Sequence, residues 1–315
     1  MAKHKRKSSK GKGKAKRDSG ITLQRFQISL FAENLPKTSW FSKPSPYAKV
    51  EVIGGPQDGT LLGQTEAISK TVSPDWCEIL FVETAPEINM PLRVTVWDQR
   101  GDDSLDPILM ATAEFEATSV YQSQGKNSTE DIGKRGKLHI HIEESFVGDL
   151  RGKMKLQLRG LDMKNVEPGP FGLGRSDPFF EIAKKNADHH IAQVNWNVVY
   201  RSEHIDNNLN PYWDPTVIDL EKLCFGREDW PLKVSVYDHN EDGNHVLIGA
   251  FETNIPHLQS RISIKGNADR DQAILLAQEV KRNKTYGLLC VIKAELIAEG
   301  DIEHPRVVAS SVMRG

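Results

Sequence analysis

Three segments decide how this chain folds: Ser176-Asp177-Pro178-Phe179-Phe180, then Asn208-Leu209-Asn210-Pro211-Tyr212-Trp213, then Val236-Tyr237-Asp238-His239-Asn240-Glu241-Asp242-Gly243. The last closes the run Leu232-Lys233-Val234-Ser235-Val236-Tyr237-Asp238. Its alternating apolar side chains mark a strand with one buried face, ending on an aspartate. The first half carries the same phrase, Leu92-Arg93-Val94-Thr95-Val96-Trp97-Asp98, and Ser73-Pro74-Asp75-Trp76 is the counterpart of Asn210-Pro211-Tyr212-Trp213. The chain is therefore a repeat of two similar units.

Working outward, short alternating or β-branched apolar runs separated by Pro, Gly, Asn and Asp point to strands throughout. The first half predicts Phe26–Phe31, Tyr47–Ile53, Thr60–Ile68, Trp76–Val82, Leu92–Trp97, Ile108–Phe115 and Lys137–Ile142. The second predicts Met154–Leu158, Pro178–Ile182, Val198–Ile205, Pro215–Leu220, Leu232–Tyr237, Leu247–Thr253 and Gly287–Ile297, with a partly helical stretch at Gln272–Val280. The fold class is all-β: two tandem antiparallel Greek-key sandwiches of about eight strands each. The expected boundaries are a basic arm at 1–20, a first sandwich at 21–145, a second at 150–300 and a tail at 301–315. The hinge around Ser145–Gly152 is short, so the modules should be close neighbours.

The 315 residues suffice for two cores, and no apolar run approaches the ~20 residues needed to span a bilayer. Neither is a secretory signal visible at the N-terminus. Cys77, Cys224 and Cys290 are odd in number and widely spaced, as expected of reduced, buried thiols in an intracellular protein. The net charge of −2 hides an asymmetry: residues 1–20 carry nine Lys/Arg and one acid, a balance of +8, and the remainder carries −10. The leader has too few apolar residues to bury a core and is expected to be a disordered arm.

The segments quoted first, with Leu161-Asp162-Met163-Lys164-Asn165 and Ile248-Gly249-Ala250-Phe251, resemble the second C2 domain of the copine family. The first module resembles the first copine C2 domain through Phe41-Ser42-Lys43-Pro44-Ser45-Pro46 and Gln64-Thr65-Glu66. The resemblance covers about residues 21–300 and implies a double C2 protein without the integrin-like (von Willebrand A) domain that completes a copine.

C2 domains are known for holding calcium between loops at one end of the sandwich and docking there on anionic phospholipid. Calcium takes ~6–8 hard oxygen ligands, so the chemistry needs clustered carboxylates. The positions that the resemblance assigns to calcium read Asn165, Asp177, Asp238, Asn240 and Val246 in the second module, with Asp242 as a substitute carboxylate. Two or three acids instead of five imply at most one weak site. In the first module the corresponding residues are Ser39, Ser45, Asp98, Arg100 and Asp106. No metal is expected there, because the guanidinium would repel one and pair with Asp98 or Asp106.

Membrane contact is expected from apolar loop tips, Trp40 and Phe41 in the first module and Phe171 and Leu173 in the second. The arm (Lys3, Lys5, Arg6, Lys7, Lys10, Lys12, Lys14, Lys16 and Arg17) would add ~1 kcal/mol per basic group near anionic lipid. A lysine-rich concave sheet, used by some C2 domains for phosphoinositides, would here have only Lys70 and Arg201. His139, His141 and Glu143 alternate on one strand face and are read as an exposed face rather than a metal site. No nucleophile set supports an enzyme, and the acidic body argues against nucleic acid. The expectation is a non-enzymatic adaptor, peripheral at the plasma membrane or another anionic membrane, with nuclear import a further use of the arm. The rival is a protein-interaction scaffold that never touches lipid.

Overall fold

The computed structural model describes residues 23–298 apart from 41, 87, 101–104, 146–147, 167–173, 188–195, 242, 264–269 and 279–285. The first module contains β1 (Gln24–Glu33), β2 (Pro46–Val52), β3 (Leu61–Gln64), β4 (Leu80–Thr84), β5 (Pro91–Asp98), β6 (Ile108–Glu116), β7 (Asn127–Ile132) and β8 (Gly136–Glu144). The second contains β9 (Lys153–Leu161), β10 (Pro178–Lys185), β11 (Trp196–Arg201), β12 (Thr216–Asp219), β13 (Leu232–Asp238), β14 (Val246–Thr253), β15 (Ile274–Leu275) and β16 (Leu288–Ile297). Short helices α1 (Ala117–Gln122), α2 (Leu220–Cys224) and α3 (Ile255–Ser260) cover the sandwich ends.

Each module packs two four-stranded antiparallel sheets, ordered β4-β1-β8-β7 over β3-β2-β5-β6 and β12-β9-β16-β15 over β11-β10-β13-β14. The second pair of sheets repeats the first strand for strand. β5 shows why these residues form strands: its burial alternates without exception, Leu92, Val94 and Val96 being wholly buried. The matching prolines also serve matching ends. The indole of Trp76 donates to the Pro46 carbonyl (3.0 Å) and that of Trp213 to the Pro178 carbonyl (3.2 Å). Each ring is thereby wholly buried with its one donor satisfied.

Several predicted strands are shorter or shifted. Thr60–Ile68 contracts to β3: at Thr65 the side-chain hydroxyl replaces a backbone carbonyl as the acceptor from Ala48 N (2.9 Å), which ends the ladder. Trp76–Val82 begins at Leu80, the residues before it being held by Glu66, which accepts from Cys77 N and Glu78 N. At Gln272–Val280 the described residues form a turn followed by the short strand β15, which pairs on β16, and no helix. Sheet completion there overrides the helical pattern. β7 was not foreseen: five of its six residues are outward or half-exposed, as suits an edge strand. All three cysteines are buried, and burial pushes the Cys224 thiol up to about 11.

Candidate functional site: the loop ends

In each module one end of the sandwich, called here the tip, gathers the turns after β1 and β9, before β2 and β10, and between β5 and β6 or β13 and β14. Register sets the frame, with Pro46 facing Asp98 and Asp98 facing Ile108, while Pro178 faces Asp238 and Asp238 faces Val246. The chain leaves β1 and β9 through one left-handed residue each, Asn34 (φ 52°) and Asp162 (φ 48°), types that tolerate this conformation.

The strand-end aspartates have the same duty in both modules. Asp98 Oδ1 accepts from Ser45 N at 2.8 Å, and Asp238 Oδ1 from Asp177 N at 2.6 Å. Both are buried. The second oxygen of Asp98 accepts from the Thr38 hydroxyl. Asp177 in turn accepts from Asn207 N at 2.6 Å, tying the first loop to the segment that carries Trp213. Arg100 is half-buried and Asp106 exposed. The Asp98 oxygens expected to face Arg100 are thus engaged by Thr38 and Ser45.

Asn165 uses its carbonyl oxygen to accept from both the amide and the hydroxyl of Ser176, each at 3.1 Å, and its amide to reach the Gly174 carbonyl (2.7 Å). Asn240 donates through its amide to the Asn244 carbonyl (2.7 Å), and its backbone N–H to His245 Nδ1 (3.1 Å). Val246 is exposed and offers no ligand atom. Among the described residues no group of three or more His, Cys, Asp and Glu side chains converges so as to hold a metal ion. Asp242 lies outside the described residues. Among the described residues the donor set is Asp177, Asp238 and two internally bonded asparagines, to which a pair of calcium ions would bring four positive charges against two carboxylates.

Sequence reasoning missed three histidines around these carboxylates. His204 and His239 stack at 4.0 Å and 4°, His239 and His245 lie 5.0 Å apart, and the Phe179 ring meets His245 edge-on at 4.8 Å. Burial, then the neighbouring His204, holds His239 below the usual imidazole range. Only folding brings His204 to His239, so no local motif marks the group.

Trp40 stands 98% exposed at the first tip. Phe41, Phe171, Leu173 and the arm (Lys3, Lys5, Arg6, Lys7, Lys10, Lys12, Lys14, Lys16 and Arg17) lie outside the described residues. The two cations of the concave sheet are committed elsewhere. Arg201 Nε donates to Glu181 Oε1 (2.7 Å) and its terminal nitrogens to the Asp75 carbonyl, and Lys70 lies 3.6 Å from Glu241. The residues making these contacts line a cleft of about 670 Å³ between the modules. His139 and His141 are not on an open strand face as expected. Their side chains are only 15% and 14% exposed, because residues 196–198 of the second module complete a smaller cleft over them.

A model of the C2 domain family matches residues 28–132 and 154–268, well over half of the chain, and the chain belongs to the C2 domain family. Among solved structures it resembles "BON1-C2B" at 20% identity, over 47% of this chain and 93% of that one, with a TM-score of 0.38. It also resembles "Extended-Synaptotagmin 2, C2A- and C2B-domains" at 13% identity, over 94% and 100%, with a TM-score of 0.34. A calcium-bound form of the latter pair of domains matches at 12% identity, over 87% and 98%, with a TM-score of 0.33. The family membership rests on the domain match. Among the described residues no helix is long and apolar enough to cross a membrane.

Proposed function

We propose that this tandem C2 chain is a non-enzymatic, peripheral phospholipid-binding adaptor of the copine-like type, with calcium control of its loop ends weak or lost. The observation that carries this reading is the commitment of Asp98, Asp177 and Asp238, each of which gives an oxygen to a backbone N–H of its own module's loops. A carboxylate satisfied in this way holds the tip together without a cation. Electrostatic attraction then comes from the basic arm, whose nine Lys/Arg suit the anionic cytoplasmic face of the plasma membrane or another acidic membrane. The arm is equally suited to nuclear import. The scaffold reading draws support from the concave sheet of the second module, whose Arg201 already bonds protein rather than lipid.

Co-sedimentation with phosphatidylcholine–phosphatidylserine vesicles, in calcium or chelator and at low and high salt, tests the proposal. The expected result is binding that survives chelation and falls with salt. Release by chelator alone would restore a calcium trigger, and failure to bind under every condition would leave the scaffold.

A further inference from the structure

The two sandwiches stand side by side with like ends together, as contacts at three levels along the strands require. At the tip, Lys70 of the first module reaches Glu241 of the second, and Gly243 lies so near Thr71 that a Cβ there would sit 3.3 Å from its hydroxyl oxygen. Midway, both terminal nitrogens of Arg201 donate to the Asp75 carbonyl at 3.3 Å. Towards the base, Lys184 Nζ donates to Gln27 Oε1 at 2.6 Å, Arg25 grips both oxygens of Glu221 (2.6 and 3.2 Å), and Lys222 reaches Glu78 at 2.7 Å. Gln27 stands six residues before the tip end of β1 at Glu33, and Lys184 six residues after the tip end of β10 at Pro178. This contact therefore lies at about the same depth, roughly 20 Å, below the tip of each module.

This alignment is locked. Ile79 of the first module is buried in the core of the second. Lys184 is wholly buried against the Phe225 ring (3.8 Å) and Gln27, and Gln27 in turn donates to Glu143, which is also wholly buried. Buried charges tolerate little misplacement, since each loses solvent and needs its partner. One consequence is that the exposed apolar side chains at the two tips, Trp40, Leu105 and Leu109 on one and Val246 on the other, lie at the same end of a single body.

We propose that both tips dock together on one phospholipid leaflet as a single two-footed surface, neither module finding lipid independently. This rests on the phospholipid-binding reading above. The tip turns mix acids (Asp106, Asp177, Glu241) with bases (Lys37, Lys43, Arg100, Lys164, Arg175), so headgroup charge is offset at this end and insertion of the apolar side chains holds the tips. Docking of one tip makes docking of the other intramolecular, and weakening one foot weakens both.

Environment-sensitive fluorophores on Ser42→Cys (first tip), Asn244→Cys (second tip) and Glu252→Cys (base end of β14) test this in the full chain, the native cysteines being buried. On phosphatidylcholine–phosphatidylserine vesicles, both tip labels should shift to the blue with one shared midpoint while the base label stays silent. Trp40→Ala, made in the first module, should move the Asn244 midpoint by about 10-fold. A shift at only one tip, separated midpoints, or an Asn244 midpoint indifferent to Trp40→Ala would overturn the proposal. Sedimentation with silent tip labels would sink it and leave lipid binding intact. Absence of sedimentation would sink the lipid reading itself.

Discussion

Between the modules, Glu143 and Glu221 meet cations and lose solvent together with them: Glu143 with Gln27 and the nearby ammonium of Lys184, Glu221 with Arg25 and the Ser145 hydroxyl. At the tips, Asp98, Asp177 and Asp238 meet backbone N–H groups of their own modules. The same functional group therefore joins two domains in one region and shapes a loop in the other. What differs is the partner. An arginine or lysine comes from the other module and carries a full charge, whereas the backbone N–H comes from another loop of the same module and is neutral, so a tip carboxylate ties its own loops together without requiring an ion.

The comparison breaks most visibly at the interface. Glu143→Ala would leave Lys184 buried without its carboxylate, and a loss of about 3–5 kcal/mol is expected in chemical denaturation. Ala187 N, which donates to Glu143 at 2.8 Å, would lose its acceptor as well. A loss below ~1 kcal/mol would mean that the charges are hydrated and the modules not locked. Asp98→Ala and Asp238→Ala should each cost about 1–3 kcal/mol, read as a lower Tm in chelator, because a part-buried N–H or hydroxyl loses its acceptor. Carboxylates crowded for a missing metal would behave oppositely, their removal raising the Tm.

A pH dependence sharpens the contrast. Burial pushes the Lys184 ammonium down to about 7, offset in part by Glu143, with Cys224, Glu221 and Lys222 as its other titratable neighbours. The unfolded ammonium titrates near ~10.4. Between these values the unfolded chain holds more protons, so stability from this group rises with pH across that window, and the burial cost is fully present below it. Denaturation midpoints should therefore climb from pH ~7 to ~10 in the wild type relative to Lys184→Met. Parallel curves would show the ammonium to be unshifted. The smallest effect belongs to Lys70→Ala, since that side chain and Glu241 are 62% and 84% exposed and such pairs contribute ~0–1 kcal/mol.

The sheets were legible because alternation is local: Leu92–Asp98 and Leu232–Asp238 announce their buried faces residue by residue. The repeated tryptophans and strand-end aspartates were legible for the same reason. β7 was not, since an edge strand of Asn, Ser, Thr, Glu and Asp reads as a polar loop until its partner β8 is present. Lys184, next to Lys185 at the end of β10, looks like a solvated pair. Only the arrival of the first module buries one of them. The His204–His239 stack and the cleft over His139 and His141 were hidden likewise, as products of tertiary and intermodule packing.

Titration calorimetry of calcium into the lipid-free chain bears most directly on the role assigned to the tip carboxylates. With Asp98, Asp177 and Asp238 engaged by backbone N–H groups, weak uptake of at most one ion in the second module and none in the first is expected. Tight uptake of two ions by either module at micromolar calcium would contradict it.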